Sequence, residues 1–182
     1  MTLETTRLVL RLWKETDAES LYEYAENPLI GPIAGWPAHT SVENSRQIIR
    51  DVLSADETYA VTIKNDDAAI GSIGLLIGDR SNLKIAADEG EIGYWIGQPF
   101  WGRGFIPEAV RKLLQHAFSD LKLTTVWCGY FDGNEKSKRV QEKCGFRFHH
   151  TETGKEWPLI NAVVTQHVTC ITKEEWAASI ND

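Results

Sequence analysis

The first half of the chain alternates apolar and polar positions with two different periods. Residues 7–13 (RLVLRLW) alternate leucine with arginine or valine, which predicts a strand. Residues 14–28 and 41–54 show the spacing of amphipathic helices, and the Gly- and Pro-rich segment between them predicts a loop. The buried stripe predicted for the second helix consists of Val42, Ile48, Ile49, Val52 and Leu53.

Strand patterns dominate from residue 58 onward. Residues 58–64 and 68–79 predict two strands joined by a hairpin turn at NDDA, and residues 91–97 predict a third strand. A helix to about Phe118, a strand, a short helix between Asn134 and Gly145, and two closing strands follow. This order predicts an α/β fold with a mixed sheet in a single domain, residues 1–182.

Composition narrows the class of protein. The 182 residues are 42% hydrophobic and 25% charged, which suits one compact domain and argues against general disorder. The formal net charge is -7 and no long Lys/Arg run is present, so we expect no direct binding to nucleic acid. The negative charge either favours a cationic partner, such as an amine-bearing substrate, or simply aids solubility.

Cysteine and histidine placement predicts no metal site. The three cysteines show no CxxC spacing, which predicts buried thiols rather than disulfides or a zinc site. His149 and His150 are adjacent on a predicted strand, so we expect them to point to opposite faces. No apolar run approaches the ~18 residues of a membrane span, and the acidic start is not that of a signal peptide. We therefore expect a cytoplasmic protein without membrane contact.

A glycine-rich turn within residues 95–114 (WIGQPFWGRGFIPEAVRKLL) joins a predicted strand to a predicted helix. Free N–H groups at a helix N-terminus favour an anion, and Gly102 and Gly104 allow it to approach the main chain. The sequence lacks the Gly-Lys-Ser/Thr of a Walker loop, and Ile106 breaks the dinucleotide-binding spacing. By itself this stretch leaves two alternatives, a tight turn or an anion cradle.

Several spaced segments resemble one family. Residues 101–109 (WGRGFIPEA) are similar to motif A of the GNAT acyltransferase superfamily, in the form of its RimJ/RimL-like branch. The resemblance continues in GEIGYWI, AGWPAHTSVENS, TTRLVLRLW, NEKSKRVQEKCGF and VTCITKEEW, and it spans nearly the whole chain. It implies a single-domain GNAT fold with a mixed, mostly antiparallel central sheet flanked by about four helices.

The resemblance also implies acetyl-CoA as the acyl-donor cosubstrate, without a metal. Its pyrophosphate is expected on N–H groups between Gly102 and Ile106, and Ile106 stands where the wider superfamily prefers Gly or Ala. Lys136, Lys138 and Arg139 either reach the 3′-phosphate or form a solvated helix face. The residues expected to bind acetyl-CoA are Ile96, Gly97, Gln98, Trp101, Gly102, Arg103, Gly104, Phe105, Ile106, Asn134 and Ser137.

Two residues are candidates for the chemistry. Glu91 is the candidate general base, and the alternative is a solvated glutamate at a strand start. Ser137 stands at the branch's serine position and is the candidate acid toward the leaving thiolate, because Gln141 occupies the place of the tyrosine that many other GNAT enzymes use. The alternative for Ser137 is a structural role in the helix cap formed by Asn134.

The implied function is acetyl transfer to a primary amine, directly and in a ternary complex, with a protein N-terminal amine of the ribosomal-protein type as acceptor. A small amine (antibiotic, polyamine or amino acid) and a non-catalytic acyl-CoA-binding module are the alternatives. Loops at residues 30–40 and 152–161 are expected to form the acceptor site, with Trp36 and His39 as contacts and Trp157 next. A backbone N–H near Ile96 or Gly97 is the expected oxyanion donor. We expect a monomer or homodimer.

Overall fold

Eight strands form one sheet in the computed structural model, which describes residues 1–180 of the chain. The strands are β1 (Leu3–Glu4), β2 (Leu8–Leu12), β3 (Thr58–Ile63), β4 (Ala69–Ile77), β5 (Glu89–Ile96), β6 (Thr125–Phe131), β7 (Arg147–Trp157) and β8 (Ala162–Thr172). Their spatial order is β1-β2-β3-β4-β5-β6-β8-β7. Within the described residues every neighbouring pair is antiparallel except β5 and β6, which are parallel.

Helices cover both faces of this sheet. They are α1 (Ala18–Ala25), α2 (Gly31–Ala34), α3 (Val42–Ile48), α4 (Phe105–Ser119), α5 (Glu135–Lys143) and α6 (Lys173–Ser179). On one face α1 and the end of α3 form a core cluster with Trp13 and Ile49. On the other face α4 packs its apolar stripe against the strands, and Trp176 of α6 lies 5.4 Å from Phe118, measured between ring centroids.

The predicted α/β fold with a mostly antiparallel sheet is confirmed, but residues 1–180 contain six helices where about four were expected. The first extra helix, α2, lies in the segment predicted as a loop and is four residues long, because Gly35 adopts a left-handed conformation (φ 91°) directly after it. The second, α6, begins after Thr172, whose side chain forms a capping box with Glu175. Both helices are too short to show a clear apolar period in the sequence.

The prediction that Val52 is buried is wrong. The second helix continues beyond α3 as a π-helical turn, Ile49–Leu53, in which the N–H of Ser54 donates to the carbonyl of Ile49 at 2.9 Å. A π turn contains more residues than an α turn, so the following side chains rotate away from the regular stripe. Val52 is consequently 58% exposed, whereas Ile49 is buried.

The prediction that His149 and His150 point to opposite faces is also wrong. The register of β7 against β8 shifts between Phe148 and His150, which marks a β-bulge. A bulge places an extra residue on one strand and breaks the simple alternation of faces. The two histidines are therefore neighbours, with their Nδ1 atoms 2.8 Å apart.

The parallel strands β5 and β6 separate part-way along their length. Their shared register runs from Glu89 opposite Thr125 to Ile92 opposite Cys128. Beyond that point β5 stays paired with β4 as far as Ile96, and β6 stays paired with β8 as far as Phe131. A wedge-shaped gap with unpaired strand edges therefore opens inside the sheet, at the end where α4 begins.

The N-terminal segment anchors the start of α4. Glu108, in the first turn of α4, accepts hydrogen bonds from the Thr5 hydroxyl at 2.6 Å, the Arg7 backbone N–H at 2.8 Å and the Arg7 Nε at 2.7 Å. Burial disfavours the charged carboxylate, but these hydrogen bonds outweigh burial and hold the pKa of Glu108 below its ordinary value of 4.5. Arg7 also lies over the ring of Phe105, 4.6 Å from its centroid.

Replacing Glu108 with glutamine is expected to lower the free energy of unfolding at pH 7 by roughly 1 to 3 kcal/mol, because charge-assisted hydrogen bonds are lost. Since the folded-state pKa of Glu108 is lowered, its contribution is present above pH 4.5 and is lost as the pH falls through the folded-state value. Urea unfolding at pH 7 and at acidic pH measures this. The difference in free energy of unfolding between wild type and Glu108→Gln is expected to be smaller at acidic pH.

The control is Glu135→Gln. Glu135 also lies in the first turn of a helix, but within the described residues its carboxylate has only a 3.9 Å contact, with the Lys138 ammonium. An equal loss of stability in the two variants would contradict the anchoring role of Glu108.

Candidate active site

A cleft of about 500 Å³ occupies the gap between β5 and β6 and extends to the start of α4. Nine of the predicted site residues line it: Glu91, Ile96, Trp101, Gly102, Gly104, Phe105, Ile106, Asn134 and Ser137. The remaining five, Gly97, Gln98, Arg103, Trp36 and His39, lie outside its lining. The sequence-predicted residues of the turn, of β5 and of α5 are therefore brought together in one place.

The glycine-rich turn presents its backbone to the cleft. Gly102 and Gly104 adopt φ values of 74° and 75°, which glycine reaches without strain. A Cβ atom at Gly102 would have no neighbour within 4 Å, so the space in front of it is open. Among residues 1–180 no acceptor takes up the N–H groups of Gly102, Arg103 or Gly104. Together with the first N–H groups of α4, these donors form an anion-binding concavity.

The side chains of Ile106 and Arg103 have contacts other than the anion-binding concavity. Ile106 is 6% exposed and belongs to the core cluster under α4, so its bulk does not narrow the approach to the N–H groups. Arg103 lies over the ring of Phe100, 5.6 Å from its centroid, and its carbonyl accepts from Arg7 Nη1 at 3.0 Å. The departure at Ile106 from the superfamily pattern is thus absorbed by the core.

One of the lysines on α5 reaches the turn. The ammonium of Lys136 lies 3.3 Å from the ring centroid of Trp101, and Trp101 Nε1 donates to the carbonyl of Ile96 at 2.9 Å. Lys136 and Arg139 line the cleft. Lys138 does not, and its ammonium instead lies 3.9 Å from Glu135.

The free edge of β5 determines which backbone donors face the gap. The N–H of Gly97 donates to the carbonyl of Ile70 at 2.8 Å and is therefore directed toward β4. Because backbone groups alternate in direction along a strand, the N–H groups of Tyr94 and Ile96 point the other way, into the gap. Of the two positions considered for an oxyanion donor, only Ile96 directs its N–H to the cleft.

Glu91 is held rigidly at the wall of the cleft. Its side chain is 7% exposed, and its Oε2 accepts from the Ser81 hydroxyl at 2.7 Å and from the N–H of Asn82 at 2.8 Å. A Cβ at Gly93, two residues further on the same face of β5, would have no neighbour within 4 Å. This carboxylate is therefore buried and oriented beside open space, unlike a solvated glutamate at a strand start.

Ser137 combines a structural and a cleft-facing position. Its backbone N–H donates to the side chain of Asn134 at 3.1 Å, as expected for a capped helix. Its Oγ lies 3.0 Å from the Tyr94 hydroxyl and 3.2 Å from Gln141 Nε2. Burial raises the pKa of Tyr94 well above its ordinary value, so this hydroxyl remains neutral.

A family model described as an acetyltransferase (GNAT) domain matches residues 7–147. The chain belongs to the GNAT acetyltransferase family. It is an enzyme that transfers acetyl groups, and enzymes of this family take them from acetyl-CoA. The resemblance seen in the motifs is thereby confirmed.

Relatives and solved structures of this GNAT acetyltransferase agree. It is 32% identical over 151 residues to "Uncharacterized N-acetyltransferase p20" of Bacillus licheniformis, covering 80% of this chain and 82% of that one. It is 34% identical over 155 residues to "Putative ribosomal N-acetyltransferase YdaF" of Bacillus subtilis, covering 76% and 77%. An acetyltransferase (GNAT family) from Bacillus anthracis has the same fold, with a TM-score of 0.79, 21% identity and coverage of 96% and 99%.

The predicted acceptor residues of this GNAT acetyltransferase occupy different places. Trp36 packs edge-on against Trp95 at 5.6 Å between centroids, behind the cleft wall. His39 is buried with its Nδ1 2.8 Å from the Ser45 hydroxyl, and burial lowers the pKa of His39 to about 4, so it is neutral at pH 7. Trp157 does line the cleft, and its Nε1 donates to the carbonyl of Gly35 at 2.7 Å. This bond joins the two segments that were expected to form the acceptor site as loops, although residues 152–157 of the second segment belong to β7 and residues 31–34 of the first form α2.

Two polar residues beside Ser137, Tyr94 in the cleft lining and the buried Gln141, were not predicted as site residues. Tyr94 and Glu91 lie on opposite faces of β5. Both side chains nevertheless line the cleft, because the gap between β5 and β6 passes through the sheet. Gln141 is 1% exposed beneath Ser137. The sequence signal for Gln141 was its position four residues after Ser137, one helical turn later.

Residues 1–180 hold no group of three or more His, Cys, Asp or Glu side chains placed to bind a metal ion. No helix in the described part of the chain is long and apolar enough to cross a membrane.

Proposed function

We propose that this enzyme binds acetyl-CoA at the glycine-rich turn and transfers the acetyl group directly to a primary amine, with a protein N-terminal α-amine as the acceptor. The main support is the set of backbone N–H groups at Gly102, Arg103 and Gly104, which have no acceptor within residues 1–180 and lie beside the gap between β5 and β6. The turn supplies donors for a pyrophosphate, and the free edge of β5 supplies donors and acceptors for an extended amide-bearing chain.

The residues of the cleft complement acetyl-CoA in charge and in hydrogen bonding. The N–H groups of the turn and the ammonium of Lys136 would hold the phosphates, and the N–H of Ile96 would meet the negative charge that develops on a carbonyl oxygen. When bound, acetyl-CoA supplies an activated acetyl group as a thioester. The backbone cradle exists without any rearrangement of the glycine-rich turn.

Glu91 is the group proposed to accept the proton of the amine. Its carboxylate is oriented by Ser81 and Asn82 and lines the cleft. An N-terminal amine has a pKa of about 8 against about 10.4 for lysine, so a carboxylate, directly or through water, can deprotonate the former near neutral pH. The lower pKa of an α-amine therefore favours it as acceptor over a lysine side chain.

Direct transfer is favoured because the cysteine in the cleft is a poor nucleophile. Cys128 is 1% exposed, and burial together with the nearby charge of Glu91 raises the pKa of its thiol well above the ordinary value. A protonated thiol does not attack a thioester efficiently. An acyl-cysteine intermediate therefore has no support in this site.

A protein N-terminus suits the open side of the cleft. Leu29 and Ile33, both in the lining, are 60% and 43% exposed, so the cleft is bordered by apolar surface that a peptide would cover. The name of the Bacillus subtilis relative, which refers to a ribosomal acetyltransferase, points in the same direction. A small amine is the second candidate, since a volume of about 500 Å³ lies within the range of small-ligand sites.

The Lys136→Met variant is expected to weaken the binding of CoA about threefold to tenfold, because a partly solvated charge beside a phosphate contributes about 1 kcal/mol. Isothermal titration calorimetry at low and at high salt measures the change, which should diminish with salt. Lys138→Met is the matched control: it makes the same change in net charge, but its side chain lies outside the cleft. Equal losses in both variants would contradict the placement of the phosphates at Lys136.

A turnover screen tests the acceptor. We expect release of CoA from acetyl-CoA with peptides that carry a free N-terminus and much less with the same peptides blocked at the N-terminus but containing lysine. Polyamines, amino acids and aminoglycosides form the small-amine arm of the screen. Faster turnover in that arm would overturn the choice of a protein N-terminus, and tight binding of acetyl-CoA without turnover on any amine would overturn the enzymatic proposal.

The Glu91→Gln variant is expected to lower kcat/KM by about 100-fold or more, which is the usual contribution of a general base. Glutamine retains an oxygen that accepts from Ser81 and Asn82, so the fold should be kept. Glu89→Gln is the matched control, because Glu89 lies on the same face of β5 but outside the cleft lining. Unchanged kinetics of Glu91→Gln at every pH would exclude it as the base.

A further inference from the structure

The orientation of the buried Gln141 amide is determined by its surroundings. Its Nε2 lies 3.3 Å from the carbonyl oxygen of Gly129, which can only accept a hydrogen bond. With Nε2 fixed by Gly129, Oε1 faces the Thr169 hydroxyl at 2.8 Å, a shorter contact than the 3.2 Å from that hydroxyl to the Cys128 carbonyl. Nε2 therefore carries the two protons, and the second is directed to Ser137 Oγ at 3.2 Å.

This orientation limits what the Ser137 hydroxyl can do. Gln141 donates to Ser137 Oγ and cannot accept the serine proton. The Tyr94 hydroxyl carries a single proton and lies 3.0 Å from Ser137 Oγ and 3.2 Å from the Ser137 carbonyl. When that proton is given to the nearer atom, Oγ, Tyr94 is a second donor to the same oxygen as Gln141. In this arrangement both lone pairs of Oγ are occupied, and the serine proton is directed to the cleft that Ser137 lines.

We propose that Gln141 and Tyr94 are positioning residues that donate two hydrogen bonds to Ser137 Oγ, direct its proton into the cleft and stabilise the oxygen as that proton leaves. This inference rests on the proposed function, because it gives Ser137 the role of the acid. It explains why a buried glutamine, supported by Thr169 from β8, occupies this position on α5.

The proton balance of the step is complete. The amine enters the step in its neutral form, after its ammonium proton has passed through Glu91 to solvent. As the new C–N bond forms and the C–S bond breaks, the amine nitrogen gives its second proton to Glu91 and the sulfur gains one from Ser137 Oγ. Oγ then carries negative charge, which the N–H of Gln141 and the O–H of Tyr94 stabilise. Exchange with solvent returns a proton to Ser137 and removes one from Glu91, so no further reactant is needed.

The test compares single variants with the same changes in a Ser137→Ala background. Tyr94→Phe and Gln141→Met keep the shape of each side chain and remove its donor. Each is expected to lower kcat about tenfold and to leave the KM for acetyl-CoA within twofold. In the Ser137→Ala background neither is expected to lower kcat further, because groups that act as a unit are not additive. Gln47→Met, on the exposed surface of α3, is the control and should match wild type.

A second readout does not depend on activity. Melting temperatures of the cofactor-free protein are measured for Ser137→Ala, Gln141→Met and the double variant. The loss in the double variant is expected to be smaller than the sum of the single losses by about 2–4 °C, which corresponds to coupled partners. This readout remains decisive if Gln141→Met is itself destabilised.

The outcomes separate this inference from the proposed function. Equal kcat losses from Tyr94→Phe and Gln141→Met in both backgrounds, or additive losses in melting temperature, would overturn the positioning role. Full activity of Ser137→Ala would also overturn it while leaving acetyl transfer intact. If the wild type binds acetyl-CoA but acetylates no amine, the proposed function fails, and the melting-temperature cycle alone decides whether the two donors act on Ser137.

Discussion

The separation of β5 from β6 is the constraint on which the rest of the structure depends. Each strand keeps its other neighbour beyond the last shared pair at Ile92 and Cys128, so the gap exposes backbone groups without loosening the sheet. Because the gap passes through the sheet, side chains from both faces of β5, such as Glu91 and Tyr94, reach one cleft. A continuous sheet would have placed these two residues in separate environments.

The anion-binding turn depends on a contact that is distant in sequence. Glu108 and Arg7 are about a hundred residues apart, yet their hydrogen bonds attach the first turn of α4 to the N-terminal segment. Arg7 also holds the carbonyl of Arg103, inside the turn itself. Two segments that resemble the same family, TTRLVLRLW and WGRGFIPEA, therefore meet in space.

Hydrogen bonds to neighbouring polar groups orient both candidate catalytic side chains. Glu91 is oriented by the connection between β4 and β5, and Ser137 by Asn134, Tyr94 and Gln141. A buried polar atom without a partner is costly, so satisfied networks of this kind are rigid. The candidate base, Glu91, is therefore held by the sheet, and the candidate acid, Ser137, is held by α5. A Cβ at Gly93 would have no neighbour within 4 Å, so the space beside Glu91 is open.

The sequence by itself determined what depends on neighbours a few residues apart. These features are the strands of the β3–β4 hairpin, the cap at Asn134, the amphipathic α4 and the glycine turn with its free donors. Together with the family motifs they led to the α/β fold and to nine residues that line the cleft. Local patterns carried too little signal for the short helices α2 and α6.

Tertiary structure alone decided the contacts between distant segments. It placed Trp36 behind Trp95 and outside the cleft, and it brought Tyr94 and Gln141 to Ser137. The alternation of a strand assigns a side chain to a face, but it does not reveal whether a neighbouring strand is present at that point. That depends on where β5 and β6 part, which is the outcome of packing across the whole sheet.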